Sequence, residues 1–197
     1  EQDNCGAGFI CSLQGEKTND IIHKALDILD CLEHRGAVSA DGKTGDGAGI
    51  LIEIPHDFLK KQCDFDLPKL HEYAVGMVFL PKKENQRTYC VGVLESEIKN
   101  QGLEVLGWRN VPVNHGVVGN IAALTEPHIM QVFVGRGSNE LSDYNFNIKL
   151  YCARKIAEHT ISDSKLSQSS YFYLPSFSTH TLIYKGLLTP EDIKGYY

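Results

Sequence analysis

The nine residues Asp41-Gly-Lys-Thr-Gly-Asp-Gly-Ala-Gly49 contain four glycines, and no other stretch of the chain restricts its fold so strongly. Glycine this dense disfavours helix and strand alike, because it has the most backbone freedom to lose and no side chain to pack. The run is therefore a loop, and the apolar residues after it, Ile50 to Ile54, read as the strand it feeds, closed by Pro55. A phosphate cradle places its glycines after a strand and at the start of a helix. Gly45-Asp-Gly-Ala-Gly49 precedes a strand instead, and no Gly-Lys-Ser/Thr comes after it, so a nucleotide loop is rejected.

Ahead of the loop, Gly6 to Leu13 has the apolar content of a short strand, closed by Gly15. Thr18 to His34 then reads as a helix, with Ile21, Ile22, Ala25, Leu26, Ile28, Leu29 and Leu32 at three- and four-residue spacing and Gly36 as its C-cap. Beyond the loop, Tyr73 to Leu80, Leu103 to Val113, Ile129 to Val134, Tyr171 to Leu174 and Thr179 to Tyr184 read as strands. Arg87 to Asn100 and Asn145 to Thr160 read as helices, and Lys185 to Tyr197 as a polar end. The elements mix without strict β-α alternation, which makes the class α+β.

A net charge of -6 and the absence of a basic run argue against a nucleic-acid partner. No stretch approaches the roughly 18 apolar residues that span a bilayer, so no membrane segment is expected. The start, Glu1-Gln2-Asp3-Asn4, has neither the basic nor the apolar region of a secretory signal. A cytoplasmic location is expected, with a plastid as the eukaryotic alternative. The six cysteines form no C-x-x-C pair and no Cys/His cluster at zinc spacing, so neither a metal site nor a disulfide framework is expected.

Cys5 alone would pass for a small buried residue. Its company changes that reading. Cys5-Gly-Ala-Gly-Phe9 is succeeded by Glu33-His-Arg-Gly-Ala37, the Asp41 to Gly49 loop, Tyr73-Ala-Val-Gly-Met-Val-Phe-Leu80, Gly107-Trp-Arg-Asn-Val-Pro112 and Ile183-Tyr-Lys-Gly-Leu187. In this order the six blocks resemble the glutaminase domain of the glutamate synthase large-subunit family, a class II amidotransferase of the N-terminal nucleophile hydrolase superfamily.

The resemblance implies an αββα sandwich, incomplete in this chain, with residues 1–4 a leader remnant and 5–197 the N-terminal half of the domain. It implies that Cys5 attacks the side-chain amide of L-glutamine and that the α-amine of the same residue acts as the base, which requires removal of the leader. It places Arg35 and Gly36 at the site as organising or substrate-proximal residues, and Thr44 and Asp46 near it, although both of the latter also suit a turn held by local bonds. His34 reads as a core or boundary histidine. The Asn-Gly pair that gives the family its oxyanion donors is missing from this sequence, and the isolated fragment is expected to be inactive. For the parent protein the resemblance implies FMN and a 3Fe-4S cluster, 2-oxoglutarate at a separate site, and a small reductase subunit or ferredoxin as electron source; none of these cofactors is expected in the fragment. The alternatives are another class II amidotransferase, or a non-catalytic structural or interaction module.

Overall fold

The computed structural model describes residues 6–137 and 140–197, Arg35 by its backbone alone. The described helices are α1 (Asn19–Cys31), α2 (His56–Gln62), α3 (Glu84–Asn100), α4 (Asn120–Thr125), α5 (Asp143–Ser162) and α6 (Pro190–Tyr196). The strands are β1 (Ala48–Glu53), β2 (Tyr73–Leu80), β3 (Glu104–Asn110), β4 (His128–Gly135), β5 (Tyr173–Ser178) and β6 (Thr181–Gly186). The chain is α+β, as expected. It divides into two compact units: one takes the residues up to Leu51, Pro112–Glu126 and Tyr184–Tyr197, the other Ile52–Val111 and Pro127–Ile183.

The second unit is a four-stranded antiparallel sheet, in the order β3-β4-β2-β5, backed by two helices. Side chains alternate across a strand, so Ala74, Val78 and Leu80 of β2 and Val132 and Val134 of β4 point to one face. There they meet Cys90, Leu94 and Ile98 of α3 and Phe146, Leu150, Ala153, Ala157 and Ile161 of α5 in one cluster. The registers Gly76↔Val132 and Gly76↔Phe177 set these three residues side by side, and a register shift against β5 between Met77 and Phe79 lets β5 bring both Phe177 and Leu174 to the same cluster. Gly76 is required by space, since a Cβ there would lie 2.7 Å from Val132 Cγ1 and 3.0 Å from the Phe177 ring. On the opposite face the Phe65 ring meets Phe133 edge-on at 5.3 Å, and His56 Nδ1 lies 3.0 Å from the Tyr73 hydroxyl. Burial pushes the Tyr73 phenol up to about 12.

α5 starts where Ser142 Oγ accepts from the Asn145 amide at 3.2 Å. Its first residue, Asp143, joins a polar group with His180, Thr179 and Arg136. Asn147, one turn on, donates to Thr179 Oγ1 at 2.9 Å.

The first unit contains α1, α4, α6, the loop 36–47 and the 48–51 and 184–186 parts of the two-stranded β1-β6 sheet. The expected strand from Gly6 to Leu13 does not form. Residues 6–12 have no regular secondary structure, and Phe9 and Leu13 are 90% and 93% exposed. Apolar content alone does not make a strand when no neighbouring strand takes up its backbone groups. The expected helix to His34 ends at Cys31, and a 3-10 turn covers Glu33–Arg35. Gly36 has φ -94°, so it is not the left-handed cap that was expected. The polar end carries α6, which begins with Pro190 in its first turn and Thr189 Oγ1 accepting the Asp192 amide at 3.2 Å.

Candidate active site

Cys5, the expected nucleophile, lies outside the described residues. The residues just after it are described, and they run along α1. A Cβ on Gly6 would lie 3.1 Å from Leu32 Cδ2, and one on Gly8 2.5 Å from Ile28 Cγ2. A side chain at Gly8 would force Ile28 to shift, and one at Gly6 would press on Leu32. Leu32 is the residue that leads α1 into the Glu33–Arg35 turn, so the segment after Cys5 passes beside the entry to the His-Arg-Gly block.

Arg35 ends that turn, and the Gly36 amide closes it by donating to Glu33 O at 2.9 Å. Gly36 stands against the glycine-rich loop: a Cβ there would be 3.2 Å from Asp46 Oδ1. The next residues form a short ladder with the same loop, in which the Asp46 amide donates to Ala37 O at 3.0 Å and Val38 bridges to Gly45. Gly36 and Asp46 are thus brought together, with Asp46 exposed. His34 is exposed rather than a core residue, and its Nδ1 donates to Cys31 O at 3.0 Å, satisfying a carbonyl at the end of α1.

Thr44 is placed differently. It is 4% exposed, and its hydroxyl donates to Asp41 Oδ2 at 2.6 Å and accepts from the Ala122 amide at 3.2 Å. With its donor and one of its acceptor positions taken up by protein groups, the hydroxyl ties the loop to α4. Gly42-Lys43-Thr44, a triplet found in phosphate loops, is here a turn closed on Asp41. Gly42 supplies the positive φ of 68° that the turn needs. Gly45 is buried, and a Cβ there would run into the Leu188 carbonyl. Close backbone approach therefore accounts for glycine at this position.

Asp41 was missed by sequence reasoning, although an Asp before a Gly is the usual start of a turn closed by the side chain. Hydrogen bonds from the Thr44 hydroxyl, the Thr44 amide and the Ile121 amide hold its carboxyl well below the usual carboxylate range. A second group in the same unit also went unread. Glu126 Oε1 accepts from the Tyr196 hydroxyl at 2.9 Å and lies 2.7 Å from His115 Nδ1, and burial together with the Glu126 contact pushes the Tyr196 phenol far up.

Among the described residues no three His, Cys, Asp or Glu side chains are grouped so as to hold a metal ion. Cys90 of α3 is in the core, Cys11 and Cys31 are exposed, and Cys63 and Cys152 are half-buried. No described helix is long and apolar enough to cross a membrane.

A family model described as glutamine amidotransferases class-II matches residues 5–197. The chain is 41% identical over 198 residues to the glutamate synthase [NADPH] large chain of Bacillus subtilis (strain 168). It is 38% identical over 209 residues to the glutamate synthase [NADH] of Saccharomyces cerevisiae (strain ATCC 204508 / S288c), and 38% over 201 residues to the ferredoxin-dependent glutamate synthase 1, chloroplastic/mitochondrial, of Arabidopsis thaliana. Each match takes in the whole of this chain but only 13%, 10% and 12% of the relative's own length. The chain belongs to the class-II glutamine amidotransferases.

Proposed function

We propose that the chain is the glutamine-hydrolysing part of a glutamate synthase, with residues 5–197 as the N-terminal half of an amidotransferase domain of αββα type. The observation that carries this reading is the class-II amidotransferase match, which opens at Cys5. The four-stranded sheet backed by α3 and α5 supports it as one αβ half of such a sandwich.

In this reading the Cys5 thiol gives its proton to its own α-amine and its sulfur attacks the side-chain amide carbon of L-glutamine. The tetrahedral intermediate collapses, the C–N bond breaks and the nitrogen leaves as ammonia, having received the proton from the α-amine. Water, deprotonated by the same amine, then hydrolyses the glutamyl thioester to glutamate and free thiol. The amine can act only if the Asn4–Cys5 peptide bond has been cut. Arg35 and Gly36 organise the site, Gly36 by admitting Asp46 where a side chain would stand. Asp46, with its carboxylate exposed, is substrate-proximal.

Ammonia is used elsewhere in the parent protein to convert 2-oxoglutarate to glutamate, a reduction for which FMN and a 3Fe-4S cluster would carry electrons from a reductase subunit or ferredoxin. No step described here for this chain's own residues depends on either group. The compartment is the cytoplasm, or a plastid in a eukaryote.

The test is a Cys5→Ala substitution in the full-length protein. Glutamine-dependent glutamate formation is expected to fall by about a thousandfold or more, with ammonia-dependent formation retained. Undiminished use of glutamine by the variant would remove the proposal.

A further inference from the structure

The Asp41 carboxylate accepts four hydrogen bonds. Oδ1 takes the Lys43 amide at 3.1 Å and the Thr44 amide at 2.8 Å, while Oδ2 takes the Thr44 hydroxyl at 2.6 Å and the Ile121 amide at 3.1 Å. The first three would suffice for a local turn. The fourth does not belong to the turn, since it reaches the opening of α4, and the Thr44 hydroxyl repeats that reach by accepting the Ala122 amide at 3.2 Å. Two otherwise unpaired amides of the first turn of α4 are satisfied in this way. Gly119, just before the helix, packs so closely that a Cβ would lie 2.6 Å from the Thr44 nitrogen.

Thr44 opens the strip that faces the His-Arg-Gly block. Its carbonyl accepts from the Ser39 amide at 2.8 Å, Gly45 bridges to Val38, and the Asp46 amide donates to Ala37 O at 3.0 Å beside Gly36. The position of Asp46 relative to Gly36 is therefore set from behind by a buried anchor on α4. A turn held by local bonds alone could pivot about its ends. A misplacement of about 1 Å can cost a site about a hundredfold in rate.

We propose that Asp41, acting through Thr44, is a positioning residue for glutamine hydrolysis: the pair locks the 44–46 strip to α4 and so fixes Asp46 against Gly36. This rests on the reading of Cys5 as the amidotransferase nucleophile.

The experiment uses the full-length protein with Asp41→Asn, Thr44→Val and Thr44→Ser. Three quantities are measured well below each variant's unfolding temperature: glutamine kcat and KM, the rate of Cys5 alkylation by a glutamine-mimicking chloroketone, and the melting temperature. Thr44→Ser keeps the hydroxyl and is expected to stay within about fivefold of wild type, while Thr44→Val and Asp41→Asn lower kcat/KM and Cys5 alkylation together by about tenfold to a hundredfold. If Thr44→Val lowers the melting temperature but leaves KM, kcat and alkylation as in wild type, the pair is structural only and the proposal is overturned. Should Asp41→Asn fail to fold, the Val/Ser contrast at Thr44 decides. If wild-type Cys5 itself is not alkylated, the Cys5 reading fails and this proposal falls with it; wild-type labelling with unchanged variants removes the positioning role alone.

Discussion

His180 Nε2 lies 2.8 Å from Asp143 Oδ2, while Asp143 Oδ1 accepts the hydroxyl of the fully buried Thr179 at 3.0 Å. One carboxylate at the start of α5 thus ties down the turn between β5 and β6. The bond from His180, then that from Thr179, holds the Asp143 carboxyl below the usual carboxylate range, with Arg136 also contributing. A depressed folded-state pKa adds stability above the unfolded carboxylate value, near 3.9, and that stability is lost as pH falls through the folded value. Asp143→Asn is therefore expected to lose roughly 1 kcal/mol near neutral pH, a figure kept small because the group is partly exposed and screened. Its unfolding free energy should also depend less on pH in the acid range than that of wild type. Urea titrations from pH 7 down to pH 3 check both; equal slopes for the two proteins would count against the assignment.

The core between sheet and helices makes a second expectation. Leu150 is fully buried where α5 meets the sheet, so Leu150→Ala should cost about 2–5 kcal/mol. Thermal or urea unfolding measures it, and a loss below about 1 kcal/mol would mean that this packing is looser than described.

Two glycines give opposite expectations. A Cβ on Gly45 would meet the Leu188 carbonyl, which is backbone and cannot swing aside, whereas one on Gly92 in α3 meets nothing within 4 Å. Gly45→Ala should destabilise by about 1–3 kcal/mol. Gly92→Ala should stabilise by about 0.5–1 kcal/mol, through helix propensity. Melting curves of the two variants side by side test the pair.

The cysteines should differ in reactivity. Burial pushes the Cys90 thiol up to about 11, while Cys11 and Cys31 are exposed. A general alkylator at pH 7.5 is expected to modify Cys11 and Cys31 in the folded protein and Cys90 only after unfolding, as read by peptide mass spectrometry. Rapid modification of Cys90 in the native state would show that the core opens.

Much of the second unit could be read from the sequence, because its elements bury long, regular patterns. Tyr73 to Leu80 is β2 to the residue, and the apolar spacing from Asn145 to Thr160 falls inside α5. Boundaries shifted where capping decides them, as at Ser142, which caps α5 so that the helix begins at Asp143, two residues ahead of the expected Asn145. The short helices α2, α4 and α6 went unread, since six or seven residues carry too little periodicity. For α6 the Thr189-Pro190-Glu191-Asp192 start signal was nonetheless present. In the candidate site, Gly36 and Asp46 were named and stand together. Asp41 was not named, because its bonds to Ile121 and Ala122, the latter through Thr44, join residues about eighty positions apart. Gly6 to Leu13 misled for the converse reason: its apolar residues suit a strand, but pairing depends on a neighbour that spacing cannot reveal.

The most direct measurement is a labelling experiment on the mature full-length protein, with its N-terminus sequenced and its glutaminase activity followed during treatment with a glutamine-mimicking electrophile. The expected result is a chain that begins at Cys5 and loses activity in step with modification of Cys5, while Cys11 and Cys31 react independently of that loss. Full glutaminase activity in a chain that keeps Asn4 joined to Cys5, or with Cys5 replaced by Ala, would contradict the assignment of Cys5 and its α-amine as nucleophile and base.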